Sequence, residues 1–106
     1  MRVLFDQGTP VPLRQFLPLH IISTAYELGW ATLKNGELLR SAEERGFEVL
    51  LSTDSNLQYQ QNLTARRIAI VVLSTTSWPR IRVVAELVAT GVNAAAIGSY
   101  VEISIP

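Results

Sequence analysis

The chain contains only two aspartates, Asp6 and Asp54, and each follows an apolar run that is typical of a buried strand. In open parallel α/β sheets, ligands bind outside the carboxyl ends of the strands, at the point where the strand order reverses. In the common order 2-1-3-4-5, strands one and three are neighbours across that point. Asp6 ends the predicted strand one and Asp54 ends strand three, so we expect their carboxylates to converge.

Two neighbouring carboxylates repel each other unless a cation lies between them. A hard divalent ion such as Mg²⁺ or Mn²⁺ takes oxygen ligands, often one or two carboxylates plus waters. Such an ion activates water and stabilises charge on a phosphoryl oxygen. The plainer interpretation, that each aspartate only ends a strand or caps the next helix, stays open, because aspartate is common in loops.

Five further residues are candidates for the same edge of the sheet. Glu37 lies in the first turn of the second predicted helix, where the helix dipole alone already favours an acid. Asn35 and Asn56 could supply amide oxygens to a metal or to a substrate, although asparagine is ordinary at helix starts. Arg80 and Arg82 follow the polar loop after strand four and are candidates to contact phosphate.

Composition narrows the class of protein. The chain has 106 residues, of which 48% are hydrophobic and 17% charged, and its formal net charge is zero. These values predict one folded domain over 1–106 and exclude intrinsic disorder. The absence of cysteine excludes disulfides and thiolate metal sites. No apolar run is long enough to span a bilayer, so we predict a cytoplasmic protein without membrane contact. With zero net charge, any binding of nucleic acid must be local.

The pattern of apolar runs predicts strands near 2–6, 20–25, 47–53, 68–73 and 101–105. Helices are predicted between them: one capped by Thr9, one opening at Asn35, one over 55–63, and one from Pro79 that ends at Gly91. The alternation of strands and helices predicts an α/β fold, a three-layer sandwich with a mostly parallel five-stranded sheet. The last strand alternates apolar and polar residues, which is typical of a half-exposed edge.

Three segments together resemble the PIN-like superfamily: MRVLFDQG at 1–8, KNGELL at 34–39 and STDSNL at 52–57. The closest resemblance is to small single-domain proteins that are predicted nuclease toxins of toxin–antitoxin operons. Those proteins typically open with a strand reading L-L-D-E-N, carry a helix start similar to D-E-E-I-L, and have a strand ending T-N-D-K-D-F. The resemblance covers roughly 1–75.

The resemblance implies a ribonuclease that hydrolyses RNA phosphodiesters with Mg²⁺ or Mn²⁺ and is held inactive by an antitoxin protein. It assigns Asp6, Glu37 and Asp54 to the metal site. The chain departs from the pattern at Asn35 and Asn56, where relatives often have aspartate, and at Gln7-Gly8, which replace Glu-Asn. Three candidate carboxylates remain instead of four or five. The alternative is a catalytically weak or inactive PIN-like module that binds a partner protein or RNA.

A phospho-acceptor receiver domain would also place acids at the carboxyl ends of parallel strands. Receiver domains use a lysine on the last strand to contact the phosphoryl group. The only lysine here is Lys34, which is too early in the chain to lie on that strand, so this alternative is disfavoured.

The final edge strand and the apolar helix over 79–89 suggest a homodimer interface.

Overall fold

The computed structural model describes residues 1–57 and 66–106, and this part of the chain folds into strands that alternate with helical segments. The strands are β1 (Arg2–Phe5), β2 (Ile21–Thr24), β3 (Val49–Ser52), β4 (Ala69–Leu73) and β5 (Tyr100–Ile103). The helical segments are a 3-10 helix (Val11–Phe16), α1 (Asn35–Glu44), α2 (Trp78–Val83) and α3 (Ala85–Asn93). The predicted helix over 55–63 lies largely outside the described residues.

All the strands pair in parallel, in the order β2-β1-β3-β4-β5. This confirms the predicted α/β class and the predicted strand order. The register places Phe5 of β1 opposite Leu51 of β3. Asp6, the first residue after β1, is therefore level with Ser52, the last residue of β3, and Asp54 follows two positions later. The two chain segments leave the sheet at nearly the same level, which is what a shared site at this edge requires.

The core lies on both faces of the sheet, and alternate strand residues divide between the two faces. One face packs against the 3-10 helix, α2 and α3 through side chains that include Phe5, Leu51 and Val71. The other face packs against α1 through Leu4 and Leu50. Every residue of β3 and β4 is buried, as expected for central strands of a parallel sheet covered on both sides.

The first helical segment differs from its prediction. Thr9 does not cap it, because the Thr9 hydroxyl donates to the Leu51 carbonyl oxygen at 2.8 Å, and Pro10 takes the N-cap position. The segment is a 3-10 helix of six residues. Pro10 and Pro12 carry no backbone N–H, which leaves this short stretch few donors for an α-helical ladder. Its buried residue is Leu13, and the next turn adds buried Leu17.

The predicted helix from Pro79 is divided, and Gly91 does not end it. Val84, with φ −117° and ψ 28°, separates α2 from α3. Gly91 lies inside α3, where an added Cβ would come within 2.6 Å of the Ile103 side chain. The glycine therefore allows β5 to pack closely against α3. By contrast, Gly46 follows α1 with φ +79° and ends that helix as predicted.

His20 and the two tryptophans have structural contacts. His20 Nε2 lies 2.5 Å from Asn93 Oδ1, which joins the start of β2 to the end of α3. The Trp30 ring packs edge-on against Phe47, and the Trp78 ring packs against Phe16. Within the described residues, no helix has the length and hydropathy needed to cross a membrane.

An ion pair joins α1 to the segment that enters β4. Arg66 Nη1 lies 2.6 Å from Glu43 Oε1, and the Arg67 amide donates to Glu43 Oε2 at 2.9 Å. Partial burial raises the pKa of Glu43, but the Arg67 amide and the Arg66 guanidinium together outweigh it and hold the pKa below its ordinary value. The ionised form of Glu43 is thus favoured by folding.

Glu43→Gln is expected to lower the free energy of unfolding by about 1–2 kcal/mol at pH 7, because hydrogen bonds to a charged acceptor are lost. A carboxyl whose pKa is lowered on folding stabilises the protein above its unfolded-state pKa, and this contribution disappears as the pH falls through the folded-state pKa. Urea unfolding at neutral and acidic pH should show the difference between wild type and variant shrinking in acid. Glu44→Gln, at the exposed neighbouring position, should show little difference at either pH; an equal loss for both variants would contradict this role for Glu43.

Candidate active site at the carboxyl ends of β1 and β3

Asp6 is the first residue after β1, and both its backbone and its side chain are held. Its amide donates to the Leu51 carbonyl oxygen at 3.0 Å, which extends the ladder between β1 and β3 by one residue. Its Oδ1 accepts the Gln7 amide at 2.7 Å, and its Oδ2 accepts the Ser52 hydroxyl at 2.8 Å. The carboxylate is half-buried and lies at the edge of the sheet where ligands of parallel α/β folds bind.

Ser52, the last residue of β3, connects the two aspartates. Its fully buried side chain donates to Asp6 Oδ2 and accepts the Asp54 amide at 3.1 Å. The chain segments that carry the two aspartates therefore meet, with one hydroxyl between the Asp6 carboxylate and the Asp54 backbone amide. Sequence reasoning missed Ser52. The available signal was a small polar residue at the end of an otherwise apolar strand, two positions before Asp54.

The Asp54 carboxylate is positioned by two asparagines: Asn35 donates from its side-chain nitrogen, and Asn56 donates from its backbone amide. Asn35 Nδ2 at the start of α1 donates to Asp54 Oδ2 at 2.9 Å. The Asn56 amide donates to Asp54 Oδ1 at 3.0 Å, which closes an Asx turn. Asn35 was expected to offer its amide oxygen to a metal or substrate. Toward Asp54 it presents its nitrogen and thereby orients the carboxylate.

Glu37 is exposed in the first turn of α1. Across residues 1–57 and 66–106, no group of three or more histidine, cysteine, aspartate or glutamate side chains could hold a metal ion. Within the described residues, Glu37 therefore does not form a three-acid group with Asp6 and Asp54.

Arg80 and Arg82 also differ in their surroundings. The Arg80 guanidinium donates from Nε to the Pro106 carbonyl oxygen at 2.9 Å and from Nη2 to the Ile105 carbonyl oxygen at 3.0 Å. It thereby fastens the segment that follows β5. Arg82 is exposed on α2. Of the two arginines predicted to contact phosphate, Arg80 therefore binds the last residues of the chain, whereas Arg82 takes no part in that interaction.

The loop after β1 packs tightly against the end of β3. A Cβ on Gly8 would lie 2.5 Å from Thr53 Oγ1, so a side chain at this position would displace Thr53 or the loop itself. The next residue, Thr9, binds the Leu51 carbonyl oxygen. Gly8 thus has a structural reason to replace the asparagine of the resembled pattern, since it lets the two loops that carry Asp6 and Asp54 lie side by side.

A pocket of about 330 Å³ opens beside Asp6, between the start of the 3-10 helix and the loop after β2. Its lining includes Glu27, whose Oε1 accepts Arg14 Nη2 at 2.6 Å and the Thr24 amide at 2.9 Å. The hydrogen bond from Arg14, followed by that from the Thr24 amide, holds the pKa of Glu27 below its ordinary value. Glu27 therefore presents an ionised carboxylate to this side of the site.

The donor set of the two aspartates fits a hard divalent cation. Among the described residues, each of the four carboxylate oxygens accepts one hydrogen bond, and a carboxylate oxygen can accept two. Acceptor positions therefore remain for a cation. Mg²⁺ and similar ions are often bound through one or two carboxylates and retain several waters, so the short supply of acids here does not exclude the ion.

Comparisons of the chain with family models, with curated proteins and with solved structures find no match.

Proposed function

We propose that the chain is a divalent-metal-dependent endoribonuclease that hydrolyses RNA phosphodiesters. The observation that carries this proposal is the meeting of Asp6 and Asp54, through the buried Ser52 hydroxyl, at the carboxyl ends of two adjacent parallel strands. This is the edge at which α/β folds bind ligands. The resemblance of 1–8 and 52–57 to PIN-like nucleases assigns the same two residues to the metal site.

In this proposal Asp6 and Asp54 bind Mg²⁺ or Mn²⁺. The ion, when bound, would lower the pKa of a water molecule and stabilise negative charge on the phosphoryl oxygens. Ser52 orients the Asp6 carboxylate, while Asn35 and the Asn56 amide orient that of Asp54, so the two acids are positioned before any ligand arrives. In the reaction a water oxygen bonds to phosphorus, the ester P–O bond breaks, and the departing oxygen takes a proton.

The biological setting is part of the same proposal and is supported by the resemblance. The PIN-like proteins that the chain resembles are predicted toxins, so we propose an antitoxin protein as its inhibitor and cellular RNA as its substrate. An antitoxin that covers this edge of the sheet would block access of RNA to both aspartates.

The proposal is tested by incubating the purified chain with single-stranded RNA and Mn²⁺. We expect cleavage that increases with time, stops with EDTA and returns when Mn²⁺ is added in excess. Mg²⁺ in place of Mn²⁺ identifies the preferred ion. RNA that stays intact at every enzyme and metal concentration would overturn the proposal.

The second candidate is a PIN-like module with little or no catalytic activity that binds a protein or RNA. It is favoured by one specific observation, the lack of any three-acid group in the described residues. Calorimetric titration with Mn²⁺ separates the two candidates. Binding of Mn²⁺ that disappears in Asp6→Asn supports the nuclease, whereas no binding by the wild-type chain supports the module.

A further inference from the structure

The pocket beside Asp6 has an exposed aromatic side chain at its entrance. Tyr26, in the loop after β2, is 77% exposed, and Val11 on the opposite segment is 52% exposed. Both line the same pocket as the Asp6 carboxylate. We refer to this space, lined by Asp6, Val11, Thr24, Tyr26 and Glu27, as the Tyr26 pocket. Its volume of about 330 Å³ falls in the range of small-ligand sites.

The loop that carries Tyr26 is held in place from both of its ends. The Glu27 amide donates to Thr24 Oγ1 at 3.0 Å, and Glu27 Oε1 accepts the Thr24 amide at 2.9 Å. This reciprocal pair is the arrangement of a capping box. The Ala25 amide also donates to the Phe5 carbonyl oxygen at 2.9 Å, which ties the loop to the strand that carries Asp6. Tyr26 therefore projects from a preorganised turn that is fixed relative to the proposed metal site.

Glu27 forms a wall of the pocket and has one oxygen fully engaged. Arg14 of the 3-10 helix and the Thr24 amide both donate to Oε1, so the ion pair ties the two sides of the pocket together. A carboxylate accepts hydrogen bonds and donates none. The Glu27 side chain can thus receive an N–H group from a ligand, whereas a carbonyl or phosphate oxygen would be repelled.

We propose that the Tyr26 pocket binds one nucleobase of the RNA substrate, with the base stacked on the Tyr26 ring and an exocyclic amino group directed to Glu27. This inference rests on the proposed function and adds to it the part of the substrate that is recognised. A flat, apolar-faced ligand fits the exposed ring and Val11. The Glu27 carboxylate disfavours a phosphate group in the pocket, and the cation that Asp6 would share with Asp54 favours the phosphate beside it. Cytosine and adenine carry the amino group that a carboxylate can accept, and uracil does not.

The test is binding and cleavage of short single-stranded oligonucleotides by Tyr26 variants. Tyr26→Ala is expected to raise KM about ten-fold with kcat nearly unchanged, since stacking of one base on an aromatic ring is lost while the reacting groups are untouched. Tyr26→Phe keeps the ring and should keep the wild-type KM. Ile97→Ala, at a similarly exposed apolar residue on another surface, is the matched control. Oligo(C) and oligo(A) should bind more tightly than oligo(U), and Glu27→Gln should reduce that preference.

The outcomes separate this inference from the proposed function. Binding of labelled oligonucleotides is measured in EDTA by fluorescence anisotropy, so that it does not depend on catalysis. Weaker binding by Tyr26→Ala together with no cleavage by the wild type would support the base pocket and overturn the nuclease. Cleavage with equal KM for wild type and Tyr26→Ala, or with no preference among bases, would overturn the base pocket and support the nuclease. If no oligonucleotide is bound or cleaved, both are overturned.

Discussion

Asp6→Asn and Asp54→Asn are each expected to lower Mn²⁺-dependent RNA cleavage by at least about a hundred-fold, because loss of a metal ligand should cost at least as much as loss of an outer-shell partner. Each change removes one negative charge from a proposed site whose two acids are connected through Ser52. The amide oxygen that remains is a weaker ligand for a hard cation. The measurement is the initial rate of cleavage under matched metal concentrations.

The folded structure should survive both substitutions, which makes the loss of activity interpretable. In Asp6→Asn the amide oxygen can still accept the Ser52 hydroxyl, and in Asp54→Asn it can still accept the Asn56 amide. Each variant keeps one of its two hydrogen bonds and loses the other, so circular dichroism should stay close to wild type while the thermal midpoint falls modestly. Glu44→Gln removes a negative charge at the exposed last residue of α1, the opposite end of the helix from Asn35, which contacts Asp54, and should retain full activity. Wild-type activity in both aspartate variants would remove the chemical basis of the nuclease.

Leu51→Ala is expected to destabilise the protein by about 2–5 kcal/mol, since truncating a buried leucine loses transfer free energy and leaves a cavity. Leu51 is fully buried in β3, opposite Phe5, and belongs to the core between the sheet and the helices α2 and α3. Nearby side chains come from a central strand with neighbours on both sides, so collapse into the cavity is limited. Urea unfolding followed by circular dichroism gives the change in free energy directly.

The matched control is Leu87→Ala in α3. Leu87 is 50% exposed, so the same chemical change removes little buried surface and should cost less than about 0.5 kcal/mol. Because a typical domain of this size is stable by only about 5–15 kcal/mol, the Leu51 variant should show a clearly lower unfolding midpoint. Equal losses at the two positions would mean that β3 does not form the central part of the core.

The central strands could be predicted because their apolar runs are typical of buried strands, and the strand order because it is a common one for parallel α/β sheets. The runs at 47–53 and 68–73 form β3 and β4, which lie inside the sheet and are buried at every residue. Once these strands are central and parallel, the residues that follow them must leave at one edge.

The details of the site could not be predicted, because they depend on single hydrogen bonds made across the fold. Ser52 acts through one hydroxyl that reaches a residue 46 positions away. Asn35 contributes a nitrogen where an oxygen was expected, and the amide orientation follows from its partner Asp54. The break between α2 and α3 at Val84 is not marked by a proline or a glycine. Gly91 is needed because Ile103 packs against it, and that contact arises only from the tertiary fold.

Placing the connecting hydroxyl on β3 has a consequence for how the molecule responds to denaturing conditions. Ser52 belongs to the strand whose residues are all buried, and such strands usually open only when the whole molecule does. The spacing of Asp6 and Asp54 therefore depends on a central, fully buried strand, although the two acids themselves lie at the starts of loops. Fraying of outer strands, or of helix ends other than the start of α1 that carries Asn35, would leave that spacing intact, so function and global structure should fail together as urea is raised.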